Sequence, residues 1–221
     1  MTAGAGNGVD ELLEQVSHRW AAAGEQPAQL IDTLLETLAS VLGDRRDACY
    51  VSTPITTGPE FVAWWRSQGS TLDRDDPAYQ DEVGLVVRRN IEAVRPLVRL
   101  VERSLGRPVI DPTRLGPIAA WEQPDYHEFW VRVIQRFVGT VVFAEGWQYS
   151  SGCSLEFAAA VAAGLPALDA SLQPMPLGTG LRLLDSAARE LDAAGLSSAY
   201  QRRAIAEVRS VSPEHADSGD S

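Results

Sequence analysis

Glu156 is the residue whose type and surroundings point most directly to chemistry. It follows a Gly/Ser-rich turn and lies in a helix of small residues read from Leu155 to Ala163, which stops at Gly164 with Pro166 just beyond. Before the turn, Val138 to Ala144 is an apolar run with the length of a buried strand. Strand, polar loop and helix make half of a βαβ unit. In such units ligands bind beyond the C-terminal ends of the strands, where helix N-termini present free N–H groups. This reading puts Glu156 in the first turn of its helix, facing that crevice. The ordinary alternative is that it complements the helix dipole, worth about 0.3–1 kcal/mol. A strict capping box does not apply, because Cys153 occupies the position three residues earlier.

A second polar group precedes this unit. Asp125, Tyr126, His127 and Glu128 open an amphipathic helix carrying Phe129, Trp130, Val133, Ile134 and Phe137, which feeds directly into the apolar strand. Asp125 and His127 are candidates for acid–base help from a carboxylate and an imidazole entering the crevice. Equally, Asp125 suits an N-cap and His127 an ordinary helix end. Upstream, Ala48 to Ser52 reads as a short buried strand, left by a loop with Thr53, Pro54, Thr56, Thr57, Gly58 and Pro59. Its hydroxyls and N–H groups suit a phosphate or sugar hydroxyl, and its composition also suits a plain turn. Tyr50, Thr53, Thr56 and Gly58 are the candidate wall residues.

The elements that must position these groups follow from periodicity. Residues 1–8 are Gly/Ala-rich and expected to be disordered. A helical extension spans 9–46: Val9, Leu12, Leu13, Val16 and Trp20 share one face, with His18 beside them, and a second stripe runs from Leu30 to Leu42. The α/β domain is placed at 47–170. Within it, 67–80 is polar and reads as a long loop or lid. A long helix follows with Val83, Val87, Ile91, Val94, Val98, Val101 and Leu105 on its stripe, and Pro96 is expected to kink or split it. Val109-Ile110 and Ala167-Leu168 read as further short strands. Residues 171–210 hold C-terminal helices, and 211–221 form an acidic tail expected to be disordered. The expected fold class is α/β: a small doubly wound parallel sheet of about four or five strands flanked by helices, with extra helices at both ends.

Composition narrows the function classes. The chain has 221 residues, 45% of them hydrophobic, and a formal charge of −11. That charge argues against general binding to nucleic-acid backbones. No apolar run reaches the ~18 residues of a membrane span, and the N-terminus lacks the pattern of a signal peptide. With only Cys49 and Cys153, a reducing cytoplasm is expected, and no zinc spacing or other metal motif is present. No Gly-x-Gly-x-x-Gly fingerprint occurs, so no redox cofactor is expected.

The set YVSTPITTG, PVIDPT and FVGTVVFAEGWQYSSGCSLEFAAAVAAGLP resembles the nucleoside 2-deoxyribosyltransferase-like superfamily, which includes nucleoside 5′-monophosphate N-glycosidases. Ser150, Gly152 and Glu156 match its Ser-x-Gly-x-x-x-Glu spacing, and Gly164-Leu165-Pro166 matches the end of its helix. The resemblance covers about residues 47–170. It implies that Glu156 is a nucleophile at the sugar C1′ and that Ser150 and Gly152 hold the 5′ end of a small-molecule nucleoside or nucleotide. Helix N-terminal amides would then keep Glu156 ionised by lowering its pKa. Trp147 and Tyr149 either stack on the base or brace the loop. Many members carry Asp ten residues before the loop serine; Thr140 occupies that position, and Asp125 is the candidate to replace the acid. Two other readings fit the same residues: a nucleotide-sensing module without turnover, and a helical assembly protein with a vestigial crevice. The terminal helices are a candidate homo-oligomer interface.

Overall fold

The computed structural model describes residues 9–15, 27–43, 45–119 and 121–212. The predicted disorder of 1–8 and the tail beyond Ser212 lie outside them, as do His18 and Trp20. The sheet has four strands, β1 (Ala48–Ser52), β2 (Val109–Ile110), β3 (Val138–Phe143) and β4 (Ala167–Leu168), in the order β2-β1-β3-β4. Every pairing is parallel. Parallel strands need crossover connections, and these place helices on both faces. That is why β1 is buried along its whole length.

Eight helices occur among the described residues. Residues 9–15 form α1, followed by α2 (Pro27–Leu42), α3 (Pro59–Ser67), α4 (Pro77–Leu105), α5 (Gln123–Phe137), α6 (Ser151–Ala162), α7 (Leu177–Ala193) and α8 (Ala199–Val211). No described helix is long and apolar enough to cross a membrane.

The two sheet faces are covered differently. On one, Val94, Val98 and Val101 of α4 pack on Cys49, Val51, Val109 and Val142. On the other, Tyr50, Val141 and Phe143 join a larger core with α2, α5, α6 and α8. The apolar stripe of α2 is spent on this core, through Leu30, Ile31, Leu34, Leu35 and Leu38. Ion pairs Arg132–Asp32 and Arg136–Glu36 fasten α2 along α5.

Three expectations change here. The 67–80 segment is no long loop: a 3₁₀ turn covers Gly69–Thr71 and α4 starts at Pro77, with Asp76 accepting from the Ala78 N–H as its cap. Pro96 does not split α4, which continues through it as one helix of 29 residues. The buried face of its first half runs through Tyr79, Val86 and Asn90, not through Val83, Val87 and Ile91.

Doubly wound order creates the crevice. The chain leaves β1 to build β2 on one side, then returns to build β3 on the other. The connections after the two central strands therefore part above their C-terminal ends. A bulge at the start of β3 shifts the register between Ala48↔Val138 and Cys49↔Thr140. Gly139 is needed there, because an added Cβ would lie 2.5 Å from the Arg46 carbonyl oxygen.

Candidate functional site

Glu156 lies at that switch point, 6% exposed, with both carboxylate oxygens held. The Tyr50 hydroxyl donates to Oε1 at 2.8 Å and the Ser52 hydroxyl donates to Oε2 at 2.6 Å. Tyr50 and Ser52 are two apart on β1, so the strand's period of two sends both side chains to the α6 face. Tyr50 is fully buried against Trp130, ring centroids 5.8 Å apart. Two donors at short distance fix both position and rotation of the carboxyl group.

Two sequence expectations about Glu156 are corrected. The helix starts at Ser151, four residues earlier than read, so Glu156 sits in its second turn rather than its first. The dipole effect fades within one turn. Burial instead dominates and pushes the Glu156 carboxyl up to about 7, against the downward pull of the Ser52 and Tyr50 hydrogen bonds. Burial, then the neighbouring Glu156 carboxylate, raises Tyr50 well above its usual range, so the phenol remains a donor.

Ser150 is the N-cap of α6, its hydroxyl accepting from the Cys153 N–H at 3.4 Å. Its carbonyl accepts from the Ser154 hydroxyl at 2.7 Å. At Gly152, one turn before Glu156, an added Cβ would be in ordinary van der Waals contact with both side chains, 3.6 Å from His127 Cδ2, 3.7 Å from His127 Nε2 and 3.9 Å from Glu156 Oε1, so the glycine leaves room there for no more than a methyl-sized group. His127 is half-buried, its Nε2 3.4 Å from Ser151 Oγ and its ring edge-on to Tyr200 at 5.1 Å. Burial and then Arg203 hold the imidazole below its ordinary value.

The remaining predicted residues divide. Thr53 is buried at the end of β1, whereas Thr56 is exposed. Gly58 is a backbone requirement, with φ 108° and its α-carbon so close to Pro54 that a Cβ would lie 2.9 Å from the proline ring. Trp147 is 3% exposed and packs between Phe143 and Phe157 at 4.8 and 4.9 Å, which braces the loop from within the core. Tyr149 turns to Glu190 of α7.

Asp125 is not the N-cap, which is Glu122; its Oδ2 accepts from the Glu122 N–H at 2.7 Å. That bond occupies the carboxylate in closing the helix end. Thr140 pairs with Cys49 on the opposite sheet face and faces Arg107 at 3.5 Å, away from Glu156. Among the described residues no three His, Cys, Asp or Glu side chains gather as metal ligands.

Two residues escaped the sequence reading. Ser52 shares a strand face with Tyr50 through their two-residue spacing, but its partner Glu156 lies 104 positions away. Asn90 of α4 donates to the carbonyls of Ile55 (2.9 Å) and Thr57 (2.8 Å), latching the loop after β1. A polar residue on an otherwise valine-rich buried face was its signal. Comparison with family models, curated proteins and solved structures finds no match for this chain.

Proposed function

We propose that the chain cleaves the N-glycosidic bond of a nucleoside or nucleoside 5′-monophosphate, with Glu156 as nucleophile. The observation that carries this reading is the doubly held, buried carboxylate at the switch point of the sheet. A nucleophile must approach C1′ along one line, and two hydroxyl donors on a rigid strand hold it there. One Glu156 oxygen bonds to C1′ as the C1′–N bond breaks, its electron pair leaving with the base, which takes up a proton. Water or an acceptor base then displaces the carboxylate. The Ser-x-Gly-x-x-x-Glu resemblance supports the same assignment and supplies the substrate class. With its pKa near 7, Glu156 is a stronger base than an ordinary carboxylate and is ionised in a growing fraction as pH rises through neutrality.

Binding without turnover is the second reading. It is favoured by the placement of Thr140 and Asp125, neither of which supplies an acid beside Glu156. The experiment is base release from a panel of nucleosides, deoxynucleosides and their 5′-monophosphates, with wild type beside Glu156→Gln. Release by wild type that the variant lacks is the expected result. Equal background release by both proteins overturns the enzymatic reading, and ligand-induced melting shifts in the same samples then mark a binding module.

A further inference from the structure

Beyond Glu156, one titratable group borders the same gap. The space left by Gly152 is flanked by Glu156 Oε1 and His127 Nε2, 3.9 and 3.7 Å from where a Cβ would lie. Topology brings them together. Helix α5 ends where β3 begins, so its first turns, with His127, lie over the C-terminal edge of the sheet where α6 starts. The imidazole is placed by its neighbours: Ser151 Oγ is 3.4 Å from Nε2 and itself accepts from Gln123 Nε2 at 2.9 Å. The Tyr200 ring closes the other side, on a helix tied to the loop by Gln201 Nε2 donating to the Gln148 carbonyl at 3.2 Å.

His127 also lines an open cavity of about 520 Å³ between α5, α6 and α8, which reaches the ring but is lined by neither Gly152 nor Glu156, so the imidazole stands between that cavity and the gap. The charged and titratable groups around it are Glu128 on α5, Tyr200, Arg203 and Glu207 on α8, and Glu156 across the gap. Burial and then Arg203 hold the imidazole below its ordinary value, which favours the neutral ring, the form that can accept a proton.

Resting on the proposed function, we propose that His127 is the base that activates water in the second half of the reaction, making the chain a hydrolase rather than a transferase. A water O–H proton passes to a ring nitrogen while the oxygen bonds to C1′. The bond from C1′ to Glu156 breaks, its electron pair returning to the carboxylate, and the imidazolium then releases its proton to solvent. Gly152 keeps the gap open for that water.

The test compares wild type, His127→Gln and Gly152→Ala, each checked for an unchanged melting temperature, using the substrate that wild type turns over. His127→Gln is expected to release one equivalent of base in a burst and then stall, at least about 100-fold slower than wild type. Intact-mass spectrometry should then find the sugar retained on Glu156, and an added acceptor base should restore turnover. Gly152→Ala should stall in the same way. Hydrolysis by His127→Gln at the wild-type rate, or loss of its burst together with its turnover, overturns the role. Base release that survives Glu156→Gln, or no release by wild type from any substrate, overturns the proposed function itself.

Discussion

The Tyr50 hydroxyl donates to Glu156 Oε1 at 2.8 Å, joining the middle of β1 to the second turn of α6 across 106 positions. This bond favours the ionised carboxylate, while burial favours the neutral acid. Tyr50→Phe keeps the ring against Trp130 and removes only the donor. At pH 8, where the carboxylate is charged, the loss is expected to cost about 1.5–3 kcal/mol of stability. The same change should raise the Glu156 pKa further. The ascending limb of kcat/KM against pH should therefore move to higher pH; a limb that stays in place would separate Tyr50 from the carboxylate's ionisation.

Glu156 also makes stability depend on pH. Its pKa rises from 4.5 to about 7 on folding, so the folded chain binds this proton more tightly than the unfolded one. The stabilisation is fully present below about 4.5 and is lost as pH rises through about 7. Across that window the shift corresponds to about 3 kcal/mol. Glu156→Gln, which cannot ionise, should remove this dependence and be the more stable protein at pH 8. Urea unfolding at pH 5 and pH 8 measures it. Parallel losses in wild type and variant between the two pH values would assign the effect elsewhere.

Asn90 bears on the loop after β1. Asn90→Ala leaves the Ile55 and Thr57 carbonyls without their donor, a loss expected to cost about 1–3 kcal/mol. Because the latch orders the wall of the crevice and not Glu156, KM should rise more than kcat falls. Asn90→Asp, which cannot donate, should reproduce the effect in steady-state kinetics and denaturant midpoint.

The sheet was legible because buried parallel strands are short apolar runs bounded by turn residues, and YVS, VI, VVF and AL stand out from their polar surroundings. Two limits were physical. The sequence places the start of α6 at Leu155 because Ser151, Gly152 and Ser154 are residue types common in loops, yet Ser150 caps a helix that already contains them. That error of four residues moved Glu156 into the first turn and reversed the sign expected for its pKa. The stripe of α4 differs in its first half because Asn90, four residues from both Val86 and Val94, takes a buried position for its hydrogen bonds, and a stripe traced through apolar residues alone passes it by. Glu156 itself was legible from local pattern; its partner Ser52 depended on a pairing 104 positions away.

Asp125 separates helix capping from chemistry most cleanly. Its Oδ2 accepts from the Glu122 N–H at 2.7 Å, satisfying a donor that the start of α5 would otherwise leave free. Asp125→Ala removes this acceptor and should lower stability by about 0.5–2 kcal/mol, the range for a lost helix cap. Asp125→Asn retains an acceptor oxygen and should recover most of that loss. Neither change should alter the pH dependence of base release, since the carboxylate is engaged at the helix end. A variant with native stability whose base release collapsed at every pH would instead return Asp125 to the reaction, as the proton donor that Thr140 cannot be.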